Sequence, residues 1–177
     1  MPNTTANKLT VARVFLIPVF LVVMYWGFPG HRYVALAIYI VACLTDLLDG
    51  YIARHYNQIS DFGKFMDPLA DKCLVVAALC VFVAEGSLEA WILATVLVRE
   101  FAVSGMRLIA VEKGRVIAAG WSGKIKTAST MVCICLILFG IPRGLNVACQ
   151  IVILVTTVYS GAEYFVKNWD VFRENEK

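Results

Sequence analysis

The chain has 177 residues, 60% of them apolar and only 16% charged, with a mean hydropathy of +0.74. Soluble domains sit nearer about 45–50% apolar and about 25% charged, so too little polar surface remains to clothe a water-facing globule, and lipid is the expected solvent. A spanning helix takes about 20 residues, so the length admits about six spans with short connections and no large soluble domain. The net charge of +3 comes from basic residues scattered along the chain, which does not make a nucleic-acid footprint.

Six apolar segments follow in chain order, at roughly 10–27, 33–54, 67–85, 88–109, 121–140 and 145–166. The first comes after Lys8 and Arg13 and lacks a small-residue cleavage site, so it reads as a retained span rather than a removed signal peptide. Breakers separate most of the segments: Gly27-Phe28-Pro29-Gly30, Glu85-Gly86-Ser87 and Ile141-Pro142-Arg143-Gly144. The stretch 54–64 is polar, and 107–126 holds Arg107, Lys113, Arg115, Lys124 and Lys126. Cys43, Cys73, Cys80, Cys133, Cys135 and Cys149 lie in apolar runs without a C-x-x-C pair and behave as small hydrophobes. His31 and His55, the only histidines, do not make a zinc site. The expected fold is an all-α integral membrane protein with six transmembrane helices, one domain over 1–177 with a short interfacial segment at about 1–9. No internal repeat is visible, which argues against a transporter built from inverted repeats.

Of the 16 basic residues, only Arg32 and Arg143 fall in connections on the side opposite the N-terminus. That asymmetry places the 54–64 and 107–126 connections and both termini in the cytoplasm.

Four carboxylates contradict the apolar pattern. The second segment ends in Asp46-Leu47-Leu48-Asp49-Gly50-Tyr51-Ile52-Ala53-Arg54, and the third opens with Gly63-Lys64-Phe65-Met66-Asp67-Pro68-Leu69-Ala70-Asp71. At helical spacing Asp46 and Asp49 share a face, as do Asp67 and Asp71, and a short loop makes the two helices antiparallel neighbours. An unpaired charge deep in a bilayer costs about 2.5–3.5 kcal/mol. Two divalent cations would compensate four such charges, and all-oxygen ligands suit magnesium or manganese. Paired metals of this kind assist displacement of one oxygen by another at phosphorus. The alternative is pairing with Arg or Lys, or interfacial water. Gly50 admits close approach of a ligand or of a neighbouring helix. Arg54, one turn on, is placed to bind phosphate or to snorkel.

Asp46, Asp49, Gly50, Ala53, Arg54, Gly63, Asp67 and Asp71 resemble, place for place, the signature D-x2-D-G-x2-A-R-x8-G-x3-D-x3-D of the CDP-alcohol phosphotransferase family. The six-span layout extends the resemblance over essentially the whole chain. It implies that the four aspartates hold two divalent cations, Mg2+ or Mn2+, and that Asp71 is general base for the acceptor hydroxyl. It also implies that Asp49, Gly50, Ala53 and Arg54 bind the CDP-lipid. Asn7-Lys8-Leu9-Thr10 looks like the family's entry segment, and Ser60 falls where a nucleotide-contacting hydroxyl is common. Helix capping is the alternative role for Asn7, Thr10 and Ser60. Homodimers are frequent in the family, so a second copy is an expected partner alongside membrane lipid.

The metal signature speaks for the donor and leaves the acceptor open. Downstream, Arg99, Val103 and Arg107 recur every four positions, and Lys124 and Lys126 open the fifth segment. These cations suit an acceptor that carries phosphate. Alternatively, Arg99 pairs with Glu100 or an aspartate, and Arg107, Lys124 and Lys126 are cytoplasmic anchors. Arg99-Glu100-Phe101-Ala102-Val103-Ser104-Gly105-Met106-Arg107 and Gly123-Lys124-Ile125-Lys126-Thr127 resemble segments of the family's bacterial members whose acceptor is glycerol 3-phosphate, with Met106 where Leu is usual. The resemblance implies transfer of phosphatidyl from CDP-diacylglycerol to glycerol 3-phosphate in the bacterial cytoplasmic membrane, with Arg99, Arg107, Lys124 and Lys126 binding the acceptor phosphate. A sister enzyme using inositol phosphate, serine or phosphatidylglycerol is the nearest alternative. A divalent-cation channel or carrier is a different class, opposed by the clustering of the carboxylates toward one side.

Overall fold

The computed structural model describes the backbone of residues 5–55, 61–115, 117–118 and 120–172, with side chains over those stretches except at 5–10, 46–55, 61–68, 71 and 172. Among the described residues there are six α-helices and no strand: α1 (Thr5–Trp26), α2 (His31–His55), α3 (Asp61–Ala84), α4 (Ala90–Glu112), α5 (Trp121–Phe139) and α6 (Arg143–Lys167), then a 3-10 turn at Trp169–Phe172.

The helices outrun the apolar segments mainly where the flanking sequence is polar. α3 begins at Asp61, six residues before the apolar reading placed it, and α2 continues through His55. Helical hydrogen bonds are internal to the backbone, so hydropathy marks the buried stretch of a helix and not its end. Ends are set by the breakers. Gly140 closes α5 at φ +86°, a left-handed conformation open to glycine at no steric cost, and its N–H donates to the carbonyl of Ile137 at 3.1 Å. Pro142 then takes the N-cap of α6.

Short connections make neighbours antiparallel, so the bundle has two distinct ends. At one, Arg32 bonds Glu85 at 2.6 Å, and Gln150 donates to the carbonyl of Ser87 at 3.1 Å. These contacts draw the first turn of α2 to the α3–α4 connection, and the latter to α6. At the other, Lys113 donates to the carbonyl of Val171 at 2.8 Å and Arg115 pairs with Asp170, fastening the 3-10 turn to the α4–α5 connection. A core fed by all six helices, including Phe20, Tyr39, Phe82, Val96, Ile134 and Ile153, lies toward the first end. A smaller cluster of Val103, Met106, Ala110, Tyr164 and Val171 lies toward the second.

The outer faces are apolar: Phe101, Trp121 and Val166 are all more than 70% exposed. α5 and α6 are each long and apolar enough to cross a membrane, and α1, α2 and α3 contain shorter apolar stretches at Val11–Trp26, His31–Thr45 and Lys72–Ala84.

Candidate active site

Helix α2 carries Asp46, Asp49, Gly50, Ala53 and Arg54, and α3 carries Gly63, Asp67 and Asp71. The backbone is helical through every one of them, so the i, i+3 and i, i+4 spacings of the carboxylates are those of a regular helix. α2 and α3 are in contact. The side chains of these eight residues, those of Asn7 and Thr10 on α1, and all of Ser60 lie outside the described residues. Among the described side chains, no group of three or more His, Cys, Asp or Glu gathers. Asp46, Asp49, Asp67 and Asp71 offer carboxylate oxygens, a ligand type that suits a hard divalent cation such as Mg2+ or Mn2+.

Directly after Asp71, the described part of the site begins with Lys72. Its Nζ donates to Ser104 Oγ at 2.5 Å and lies 3.7 Å from Glu100 Oε2. The other oxygen of Glu100 accepts from Lys126 Nζ at 2.6 Å and from Arg99 Nη1 at 3.0 Å. Three helices therefore bring three cations to one carboxylate: Lys72 from α3, Arg99 with Glu100 from α4, and Lys126 from α5. Lys126 is 4% exposed, and an ammonium so buried requires a partner. Among the described side chains, three positive charges against one negative leave this cluster at +2.

Arg99 packs against two glycines, and one of them, Gly161, makes way for it. A Cβ on Gly161 of α6 would stand 3.1 Å from Arg99 Cγ, and one on Gly123 of α5 would stand 3.6 Å from Nη2. Its Nε is buried without a hydrogen-bond partner among the described residues.

The four cations that the sequence nominates for an acceptor phosphate thus divide. Arg99 and Lys126 meet at Glu100. Arg107 donates from Nε to the Tyr164 hydroxyl at 3.0 Å, with its guanidinium carbon 5.5 Å from the ring centroid. Lys124 is exposed, its Nζ 5.1 Å from the centroid of the Trp121 ring, a cation–π distance. Beside Tyr164 lies a cavity of about 300 Å³ lined by Arg115, Ser122, Glu163, Lys167 and Asn168 among others. Its cations already have partners: Arg115 is paired with Asp170, and Lys167 with Glu163. The Arg115 guanidinium holds the Asp170 carboxyl below the ordinary aspartate range.

Sequence reasoning paired Arg99 with Glu100 as an alternative role and missed Lys72, Ser104 and Tyr164. Lys72 had a signal in its adjacency to Asp71. Tyr164, 57 positions from Arg107, had none.

Comparison with known proteins bears on the whole chain. A CDP-diacylglycerol–glycerol-3-phosphate 3-phosphatidyltransferase of Bacillus subtilis strain 168 is 39% identical, over 94% of this chain and 96% of its own length. A protein of the same name from Sodalis glossinidius is 35% identical over 93% of this chain and 94% of its own. Another from Escherichia coli K12 is 40% identical over 74% of each. The profile of CDP-alcohol phosphatidyltransferases matches residues 3–160, a span that takes in the carboxylate-bearing helices and the Glu100 cluster alike. By that match and by its relatives, the chain belongs to the CDP-alcohol phosphatidyltransferase family.

Proposed function

We infer that this chain transfers the phosphatidyl group of CDP-diacylglycerol to glycerol 3-phosphate, giving phosphatidylglycerophosphate and CMP. The observation that carries the choice of a phosphate-bearing acceptor is the excess of two positive charges gathered at Glu100 among the described side chains, beginning one residue after Asp71. A phosphate monoester carries about −1.5 to −2 at neutral pH, which matches it. Serine has no such charge to offer; inositol phosphate does, and against it the reading rests on the relatives named as glycerol-3-phosphate 3-phosphatidyltransferases.

Asp46, Asp49, Asp67 and Asp71 would hold two divalent cations, Mg2+ or Mn2+, whose charge neutralises the diphosphate and eases departure of CMP. Asp49, Gly50, Ala53 and Arg54 line the CDP-lipid site, with Asn7, Thr10 and Ser60 on the cytidine side. Arg99 and Lys126, followed by Arg107 and Lys124, hold the acceptor phosphate. The acceptor hydroxyl attacks the phosphorus that bears the diacylglycerol, its proton passes to Asp71 as general base, and the bond from that phosphorus to CMP breaks.

In this reading all six helices cross the bacterial cytoplasmic membrane as one domain over 1–177, with about 1–9 interfacial. The basic end and both terminal segments face the cytoplasm, and two copies associate as a homodimer. Donor lipid enters from the bilayer and acceptor from the cytoplasm.

Purified protein in detergent, supplied with CDP-diacylglycerol and Mg2+ or Mn2+, tests the reading against a panel of acceptors. CMP release is expected with glycerol 3-phosphate; preference for serine, inositol phosphate or phosphatidylglycerol overturns the acceptor.

A further inference from the structure

We propose that Glu100 is a positioning residue of the acceptor site, fixing Lys126 of α5 and Lys72 of α3 relative to each other; this rests on the reading that the acceptor carries a phosphate. Lys126 and Arg99 converge on Oε1 at 2.6 and 3.0 Å, and Lys72 stands 3.7 Å from Oε2. Left alone, three cations in a part-buried niche repel one another, and the flexible lysine stems would carry their charges apart. One carboxylate between them reverses that, and Ser104 Oγ holds Lys72 from a second direction at 2.5 Å. Because Lys72 follows Asp71 on α3, the same contacts set the register of the helix bearing the general base against the two helices bearing the anion-binding cations.

The sign of one kinetic change separates positioning from mere neutralisation. If Glu100 only lowered the local charge, Glu100→Gln would leave a more positive site and a lower KM for glycerol 3-phosphate. If Glu100 places the cations, Glu100→Gln raises that KM, by about tenfold, while the KM for CDP-diacylglycerol stays put. Glu100→Asp, which keeps the charge on a shorter stem, recovers part of the loss. Lys72→Ala combined with Glu100→Gln costs less than the product of the two single effects, since both act through one contact.

Initial-rate kinetics on the purified full chain in detergent, with melting temperature measured alongside, read all of these. An unchanged or lowered acceptor KM in a Glu100→Gln protein that melts like wild type overturns the proposal, as does full multiplicativity with Lys72→Ala. Should Glu100→Gln fail to fold, Ser104→Ala removes only the bond to Lys72; a rise of about threefold in acceptor KM supports the proposal, and no rise overturns it. The wild-type protein is assayed first against the acceptor panel. Its failure to use a phosphate-bearing acceptor sinks the functional reading, whereas flat variants beside an active wild type sink only the role of Glu100.

Discussion

At the scale of single residues, the same chemical change is expected to act differently at two glycines. Gly105 on α4 has nothing within 4 Å of the place a Cβ would occupy, whereas at Gly161 that Cβ meets Arg99 Cγ at 3.1 Å. Gly105→Ala is expected to stabilise the protein by up to about 1 kcal/mol through helix propensity. Gly161→Ala is expected to destabilise it by about 1 kcal/mol or more by overpacking. Thermal melts in detergent read both signs. The proposed metal ligands make a sharper demand. Asp49→Asn removes a charge and keeps the volume, and is expected to lower the rate of CMP release at least a hundredfold, taking about that factor as the scale of metal-site losses. Wild-type turnover from a folded Asp49→Asn protein would remove the two-metal reading.

At the scale of elements, the 3-10 turn at Trp169–Phe172 is fastened to the α4–α5 connection by Arg115–Asp170 and by Lys113 on the carbonyl of Val171. The Asp170 carboxyl is held below its ordinary value of 3.8, first by the hydrogen bond from Arg115. A carboxyl depressed in the folded state contributes stability that is fully present above its unfolded value and is lost as pH falls through the folded one. Protection of the 169–172 amides from hydrogen exchange, corrected for intrinsic rate, should therefore be flat from pH 7 to about 5 and fall below about 4. Asp170→Asn should abolish that dependence, and high salt should weaken it because the pair is exposed. The turn itself was illegible in the sequence. Its docking rests on contacts across more than fifty positions, and no local pattern announces them. The helix ends at Asp61 and His55 were missed for another reason: apolarity follows burial, and these turns are helical without an apolar sequence.

At the scale of the whole molecule, the distribution of charge makes a claim about topology. The end fastened by Arg32–Glu85 and Gln150 should face outward and the end bearing Lys113, Arg115 and Lys126 inward. Glu89→Cys should then react with a membrane-impermeant maleimide in intact cells above the background of the native cysteines, and Glu112→Cys only after lysis. The reverse pattern would invert the orientation. The arrangement of two ends was legible because helix number and breaker positions follow from hydropathy and from Gly and Pro. So was the helical spacing of Asp46 with Asp49 and of Asp67 with Asp71, because it is local to one helix each. The partnerships of the cations were not, because three helices settle them together: sequence can nominate Arg99, Arg107, Lys124 and Lys126 but cannot say that two meet at Glu100 while the others take Tyr164 and Trp121.

The slot around Arg99 also bears on how such a chain can change over generations. The space for one guanidinium is divided among α4, α5 and α6, with Gly123 and Gly161 as its walls. A side chain at 161 crowds the arginine stem, and a smaller residue at 99 leaves that wall facing a void. Positions 99 and 161, far apart in sequence, are therefore bound to a single inheritance: among relatives they should be replaced together or not at all.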